Sequence, residues 1–164
     1  MKKVLAALLF LAVGTMGTVQ AQTISEDDLP FTFLSWHYNN YPGAENNHWI
    51  KLEKNGEELL FVDFQHEGRS LEVTYRTNGR RVKARIIYGD KQVPDLVNAF
   101  LMEQFEKYKV NEFMKTDIYD SNGSDVAYFF HSVWVKVKKE NIMLYFDEEF
   151  NRIMNSDVQL LSAR

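Results

Sequence analysis

Ser70-Leu-Glu-Val-Thr-Tyr-Arg-Thr-Asn-Gly-Arg-Arg-Val-Lys83 alternates apolar and polar residues on both sides of Thr77-Asn78-Gly79. This is the signature of two antiparallel strands joined by a tight turn. A degenerate copy returns as Asn141-Ile-Met-Leu-Tyr-Phe-Asp-Glu-Glu-Phe-Asn-Arg-Ile-Met154. Aligned without a gap, Leu71 falls on Ile142, Val73 on Leu144, Tyr75 on Phe146, Arg81 on Arg152 and Val82 on Ile153. The match marks an internal repeat.

Upstream of the hairpin, residues 48–53 and 58–65 alternate with period two around Asn55-Gly56, and Glu67-Gly68 turns the chain into residues 69–76. Residues 80–88 form the fourth strand. Ahead of these strands, residues 22–28 read as a short flexible lead-in. Asp28 followed by Leu29-Pro30 predicts a helix from about residue 29 to 40, with Phe31, Leu34, Tyr38 and Tyr41 on one face and Tyr41-Pro42-Gly43 at its end. Beyond the polar link at residues 89–92, Val93-Pro94 opens a second helix whose stripe is Leu96, Val97, Phe100, Leu101, Phe105 and Tyr108. Strands follow at residues 113–119, 126–137, 142–147 and 151 to about 160. Helix and four strands have then occurred twice. The hairpin copies lie further apart than the two helix-opening prolines, so the second unit is longer in its middle, around Asp120-Ser-Asn-Gly-Ser-Asp125. The expected fold class is α+β: two αββββ repeats, residues 22–88 and 89–164, forming an antiparallel sheet with the helices packed on one face.

Met1-Lys2-Lys3 and the apolar run Val4-Leu-Ala-Ala-Leu-Leu-Phe-Leu-Ala-Val13 have the charge and length of a secretory signal peptide, with cleavage expected after Ala21. The run is shorter than the roughly 20 residues a spanning helix needs. Periplasmic or secreted localisation follows. With no cysteine, neither a disulfide nor lipid attachment at a cysteine is available, so the fold stands on packing. Removing residues 1–21 takes away Lys2 and Lys3 and no acid, moving the formal charge from -4 to -6. A mildly acidic chain is unsuited to polyanions, so nucleic acid is not the expected partner. Hydrophobic residues at 45% and aromatics at 14% exclude wholesale disorder.

Leu29-Pro30, Tyr41-Pro42-Gly43-Ala44, Trp49 and Thr77-Asn-Gly-Arg80 together resemble the PepSY-like domain of exported bacterial proteins, related in fold to β-lactamase inhibitor proteins. Val93-Pro94, Phe113 and Glu149-Phe-Asn-Arg152 carry the resemblance more faintly in the second copy, which has Glu106-Lys-Tyr-Lys109 in place of Tyr-Pro-Gly. The resemblance implies a tandem α+β protein whose relatives bind or inhibit other proteins. It brings no shared catalytic residues.

Residues with chemistry of their own are few. His37, His48, His66 and His131 include no pair at the i, i+4 spacing of a zinc helix, and no cysteine assists. His66 and Asp63, three apart in one strand, point to opposite faces. His131 falls on the inward face and is expected as a hydrogen-bonded core histidine. Setting Gly123 at the invariant glycine of a calcium loop puts Ile118 and Phe129 where ligands belong, so residues 120–125 form a turn. The carboxylates at Glu57-Glu58 and Asp147-Glu148-Glu149 sit in turns, and no Gly-x-Ser-x-Gly elbow occurs. The expectation is a non-enzyme with no catalytic residue, metal or cofactor.

The repeat assigns strand faces. If Leu71, Val73 and Tyr75 face the helices, so do Ile142, Leu144 and Phe146; likewise Leu60, Val62 and Phe64 align with His131, Val133 and Val135. The opposite face receives Leu59, Phe61, Tyr128, Phe130, Trp134, Met143 and Tyr145, and Arg81, Lys83 and Arg85 form a cationic ladder beside them. Aromatic and Arg enrichment is what interface centres favour. The expected role is to bind a protein or peptide of the cell envelope through this helix-free face. Two alternatives stay open: the face is covered by loops, by the other half or by a second copy, or the chain is a small-molecule or lipid binder, or an enzyme, with a cystatin-like pocket between helix and sheet near Trp36, Tyr38 and Trp49.

Overall fold

The computed structural model describes residues 20–54 and 56–162. Its strands form one antiparallel meander in which each pairs with its predecessor: β1 (Gln20–Ile24), β2 (Glu45–Lys54), β3 (Glu57–His66), β4 (Arg69–Arg76), β5 (Arg81–Tyr88), β6 (Lys109–Tyr119), β7 (Val126–Val137), β8 (Glu140–Phe146) and β9 (Arg152–Ile153). Helix α1 (Phe31–Asn40) lies between β1 and β2, α2 (Asp95–Gln104) between β5 and β6, and α3 (Asn155–Ser162) follows β9. The class is α+β.

Each half has its own core between helix and sheet. In the first, Phe33 of α1 packs with Trp49, Leu60, Val62, Phe64, Leu71, Val73 and Tyr75. In the second, Val97 and Leu101 of α2 pack with Phe113, Val133, Val135, Leu144 and Phe146. Burial of each such side chain contributes roughly 1.5–3 kcal/mol. The paired residues follow the offset read from the sequence: Leu60, Val62 and Phe64 oppose Tyr75, Val73 and Leu71, while His131, Val133 and Val135 oppose Phe146, Leu144 and Ile142. All twelve face the helices.

Several local expectations are corrected. Gln20–Ile24 is an edge strand on β2 where a flexible lead-in was expected, and the turn after it is capped by Ser25, whose Oγ accepts from Asp27 N. Pro30 and Pro94, rather than a side-chain cap, stand at the N-caps of α1 and α2; the fixed proline φ suits that position. The buried stripe of α1 is Phe33 and His37, leading to Tyr41, and Phe31 is exposed. Aromatics surround this helix on all sides, so spacing alone did not single out the inward ones. Helix α2 ends at Gln104, and Phe105 and Tyr108 pack on the second core from an extended link. The strand expected from residue 151 to about 160 is only Arg152–Ile153. Asp157 then reaches back to the backbone N–H of Met154 at 3.0 Å, half of a capping box, and starts α3. The signal peptide expected over residues 1–21 lies, apart from Gln20 and Ala21, outside the described residues, as does Asn55 of the Asn-Gly turn.

Candidate binding surface

Directly opposed residues of an antiparallel ladder share a face, so the helix-free face reads off the register in rows. One row is Ile50, Phe61, Thr74, Lys83, Ile118 and Tyr128; the next is His48, Asp63, Glu72, Arg85, Thr116 and Phe130. A third runs Ser70, Ile87, Met114, Ser132 and Tyr145, and Trp134 opposes Met143. Leu59, Phe61, Lys83, Arg85, Tyr128, Phe130, Trp134, Met143 and Tyr145 therefore all lie on the face expected of them.

Arg81 does not. Thr74 pairs with Lys83 but Tyr75 pairs with Arg81, so Val82 is an extra residue, a β-bulge that reverses the alternation. Arg81 is thrown to the helix side and Val82 to the free face, where it packs on Ile50, Leu52, Leu59 and Phe61. On the helix side, the Arg81 guanidinium donates to Gly123 O at 3.2 Å, Ser124 O at 3.1 Å and Tyr119 OH at 3.1 Å. It lies 4.1 Å from the Tyr119 ring centre and 5.7 Å from that of Trp36. Residues 120–125 are thus a loop folded over Arg81. Within that loop, Asp120 Oδ1 accepts from Ser124 N and Asp125 N, as a turn-forming aspartate does.

The free face divides into two zones. Ile50, Leu52, Leu59 and Phe61 are exposed by only 3%, 2%, 8% and 1%, and Met114 and Phe130 are also buried. Tyr128, Trp134, Met143 and Tyr145 are half-buried, as is Lys83. Between the zones sits an ion pair, Arg85 Nη1 to Glu72 Oε2 at 3.2 Å, each side chain 14% exposed. Burial raises the Glu72 carboxyl above its ordinary range, and Arg85 partly offsets this. Beside it, His48 Nδ1 lies 3.2 Å from Asp63 Oδ2, a contact across β2 and β3 that spacing within one strand could not show.

Around His37 the helix–sheet interior of the first half is closely packed. His37, with no exposed surface, has the rings of Tyr38, Tyr41, Trp49, Phe64 and Tyr75 around it at centroid distances of 5.0 to 5.8 Å. An open polar groove of about 580 Å3 lies elsewhere, between the β3–β4 turn and the link after β5; Arg69, Tyr88, Asp90 and Glu112 are among its walls, and Trp36, Tyr38 and Trp49 are not. His131 is buried as expected: its Nδ1–H donates to Asp147 O at 3.2 Å, and its ring stacks on Phe113 and Phe150. Among the described residues no group of three or more His, Cys, Asp or Glu side chains is placed to hold a metal ion. None of the described helices is long and apolar enough to cross a membrane.

No protein-family model matches the chain, and no curated protein does. Solved structures share its fold. A DUF2874 family protein from Bacteroides ovatus is 16% identical with a TM-score of 0.59 over 78% of this chain and 86% of that one. Another, from Bacteroides uniformis, is 16% identical with a TM-score of 0.59 over 76% and 86%. A BLIP-like protein from Bacteroides fragilis is 18% identical with a TM-score of 0.57 over 77% and 84%. At these identities the likeness is one of fold.

Proposed function

We propose that this chain is an exported, non-catalytic module of two PepSY-like αββββ repeats, residues 22–88 and 89–164, that binds a protein or peptide of the cell envelope through its helix-free face. The observation that carries the reading is the half-buried set Tyr128, Trp134, Met143 and Tyr145 on β7 and β8, with Lys83 and the Glu72-paired Arg85 on β5 of the same face. Amphipathic aromatics beside cations are the composition of interface hot spots. Leu59, Phe61 and Phe130, being buried, serve as the floor beneath the contact rather than the contact itself. The BLIP-like neighbour supports a protein as the bound species, and the leader-like residues 1–21 support export to the periplasm or beyond. The close packing of aromatic rings around His37 speaks against a ligand held beside Trp36, Tyr38 and Trp49.

The test is capture from envelope extract of the source organism with the wild-type chain and with Trp134→Ala/Tyr145→Ala. A discrete partner lost from the variant, with its melting temperature nearly unchanged, supports the reading. Capture that is indifferent to both substitutions overturns it.

A further inference from the structure

Polar groups on the helix side form one directed hydrogen-bond chain from Glu26 to Tyr75. Glu26 Oε2 accepts from Trp49 Nε1 at 3.3 Å, and Oε1 accepts from the Tyr38 hydroxyl at 2.6 Å. Because a carboxylate only accepts, the Tyr38 proton points to Glu26 and its oxygen accepts from Asn47 Nδ2 at 2.8 Å. That turns Asn47 Oδ1 toward His37 Nε2, 3.3 Å away. A carbonyl oxygen also only accepts, so Nε2 carries the imidazole proton. Nδ1 is then the acceptor for the Tyr75 hydroxyl at 2.8 Å. Neutral His37, protonated at Nε2, satisfies this whole chain.

We propose that this chain of bonds is a proton-operated latch: protonation of His37 in acid releases α1 and the Glu26–Asp28 turn from the sheet while the second half stays folded. A proton on Nδ1 would force the Tyr75 hydroxyl to turn its own hydrogen away and accept instead, so that this hydrogen loses its present acceptor. It would also place a full charge at a site with no exposure, inside a cage of five aromatic rings. The titratable and charged groups around His37 offer little relief. Tyr38 and Tyr41 come from its own helix and its C-cap, Tyr75 from β4 and His66 from β3; the one carboxylate, Glu26, reaches it through Tyr38 and Asn47. Burial accordingly holds the imidazole below its ordinary range, His66 adds to the effect, and the Asn47 bond and Glu26 counter it only in part.

The opening is centred on the first half because the buried residues of the two cores form separate clusters, although Tyr119 of β6 packs on the first of them. Helix α1 packs only into the first core, and α2 only into the second. Burial also holds His131, the buried histidine of the second half, below its ordinary range and Lys115 adds to this, but its Nδ1–H already rests on the Asp147 carbonyl and the carboxylates of Asp117 and Asp147 offset part of the effect. Release of α1 bares Trp49, Phe64 and Tyr75, giving the chain in acid an aromatic surface that it hides at neutral pH.

The test is a histidine side-chain and backbone amide NMR titration of the full chain from neutral pH to about pH 4, across the range in which histidine changes charge, with bis-ANS fluorescence in parallel. His37 should take up its proton together with the loss of native amide signals from residues 26–47 and a rise in bis-ANS binding, while signals from α2 and β6 to β8 persist. His37→Gln, which can donate to Asn47 and accept from Tyr75 but cannot titrate there, should keep the α1 signals throughout. The latch is refuted by His37 titrating with α1 still in place, by both halves losing their signals together, or by the same transition in His37→Gln. Should that variant not fold, the wild-type imidazole titration and the order of amide loss decide the matter alone.

Discussion

Gly123 offers a sharp test of how the two halves are joined. Its φ is +73°, and a methyl group added there would lie 2.6 Å from Arg81 N, 2.8 Å from Arg80 Cβ and 2.9 Å from Arg80 Cα. Two of those atoms are backbone and cannot swing aside. Gly68 has the same φ of +73° but open space within 4 Å, so it isolates the conformational part of the penalty. Gly68→Ala should cost about 1 kcal/mol, the lower end for an L-residue held in the left-handed region. Gly123→Ala adds overpacking of about 2 kcal/mol, for a total of about 3 kcal/mol. In urea unfolding followed by tryptophan fluorescence, with a slope of about 2 kcal/mol per molar, the midpoint of Gly123→Ala should fall about 1 M below that of Gly68→Ala. Equal midpoints would refute the reasoning, since they would mean that the loop does not sit firmly on Arg80 and Arg81.

Other outcomes follow from the same structure. Arg81→Met removes three hydrogen bonds to the loop and Tyr119 and should lower stability by about 1–3 kcal/mol by urea titration, with native-state hydrogen exchange speeding up in residues 119–126. Glu72→Leu removes the carboxylate beside the nearly buried Arg85 guanidinium and should cost about 3–5 kcal/mol, whereas Glu72→Leu with Arg85→Met should fall within about 1 kcal/mol of wild type; a double-mutant cycle reads the difference. In acid, buried groups pull in opposite directions. The folded-state pKa values of His37 and His131 are depressed, so the unfolded chain binds more protons and stability declines as pH drops below about 6.5. That of Glu72 is raised, so the folded chain binds more protons and stability is gained as pH falls through the raised value toward 4.5. Glu72→Gln lacks this gain, and its urea midpoint should drop more steeply on acidification than that of wild type.

Much of the sheet was legible because period-two alternation is a direct record of two faces. The limits of residues 126–137 were read to the residue. Leu59, Trp134 and Tyr145 were placed on the correct side through a hairpin and its copy. The reading broke at Val82, where one inserted residue reverses the alternation. Arg81, Val82 and Lys83 still look regular in sequence, since nothing local distinguishes a bulge from a continued strand. His37 was missed for another reason. Four residues after Phe33 and four before Tyr41, it stands where a core residue belongs, but Phe31, Leu34 and Tyr38 offered an equally apolar stripe. Helix α3 was missed because its start rests on Asp157 bonding back to Met154, in a segment whose alternation imitates a strand. The free-face ion pairs, His48 with Asp63 and Glu72 with Arg85, needed the cross-strand register. Burial of the apolar zone lies beyond any face assignment, which says where a side chain points and not what lies over it.

The unbroken strand order has a consequence for how the molecule is made. Each new strand finds its hydrogen-bonding template already present in the one before it, so a chain delivered N-terminus first can assemble its sheet in the order of delivery. Side-chain hydrogen bonds from Arg80 and Arg81 to the loop reach up to 43 residues ahead. The first half can therefore take shape early, but the start of its last strand, at Arg80 and Arg81, is clasped by the loop only when residues 121–124 arrive. Delivery of the second half is what completes the first.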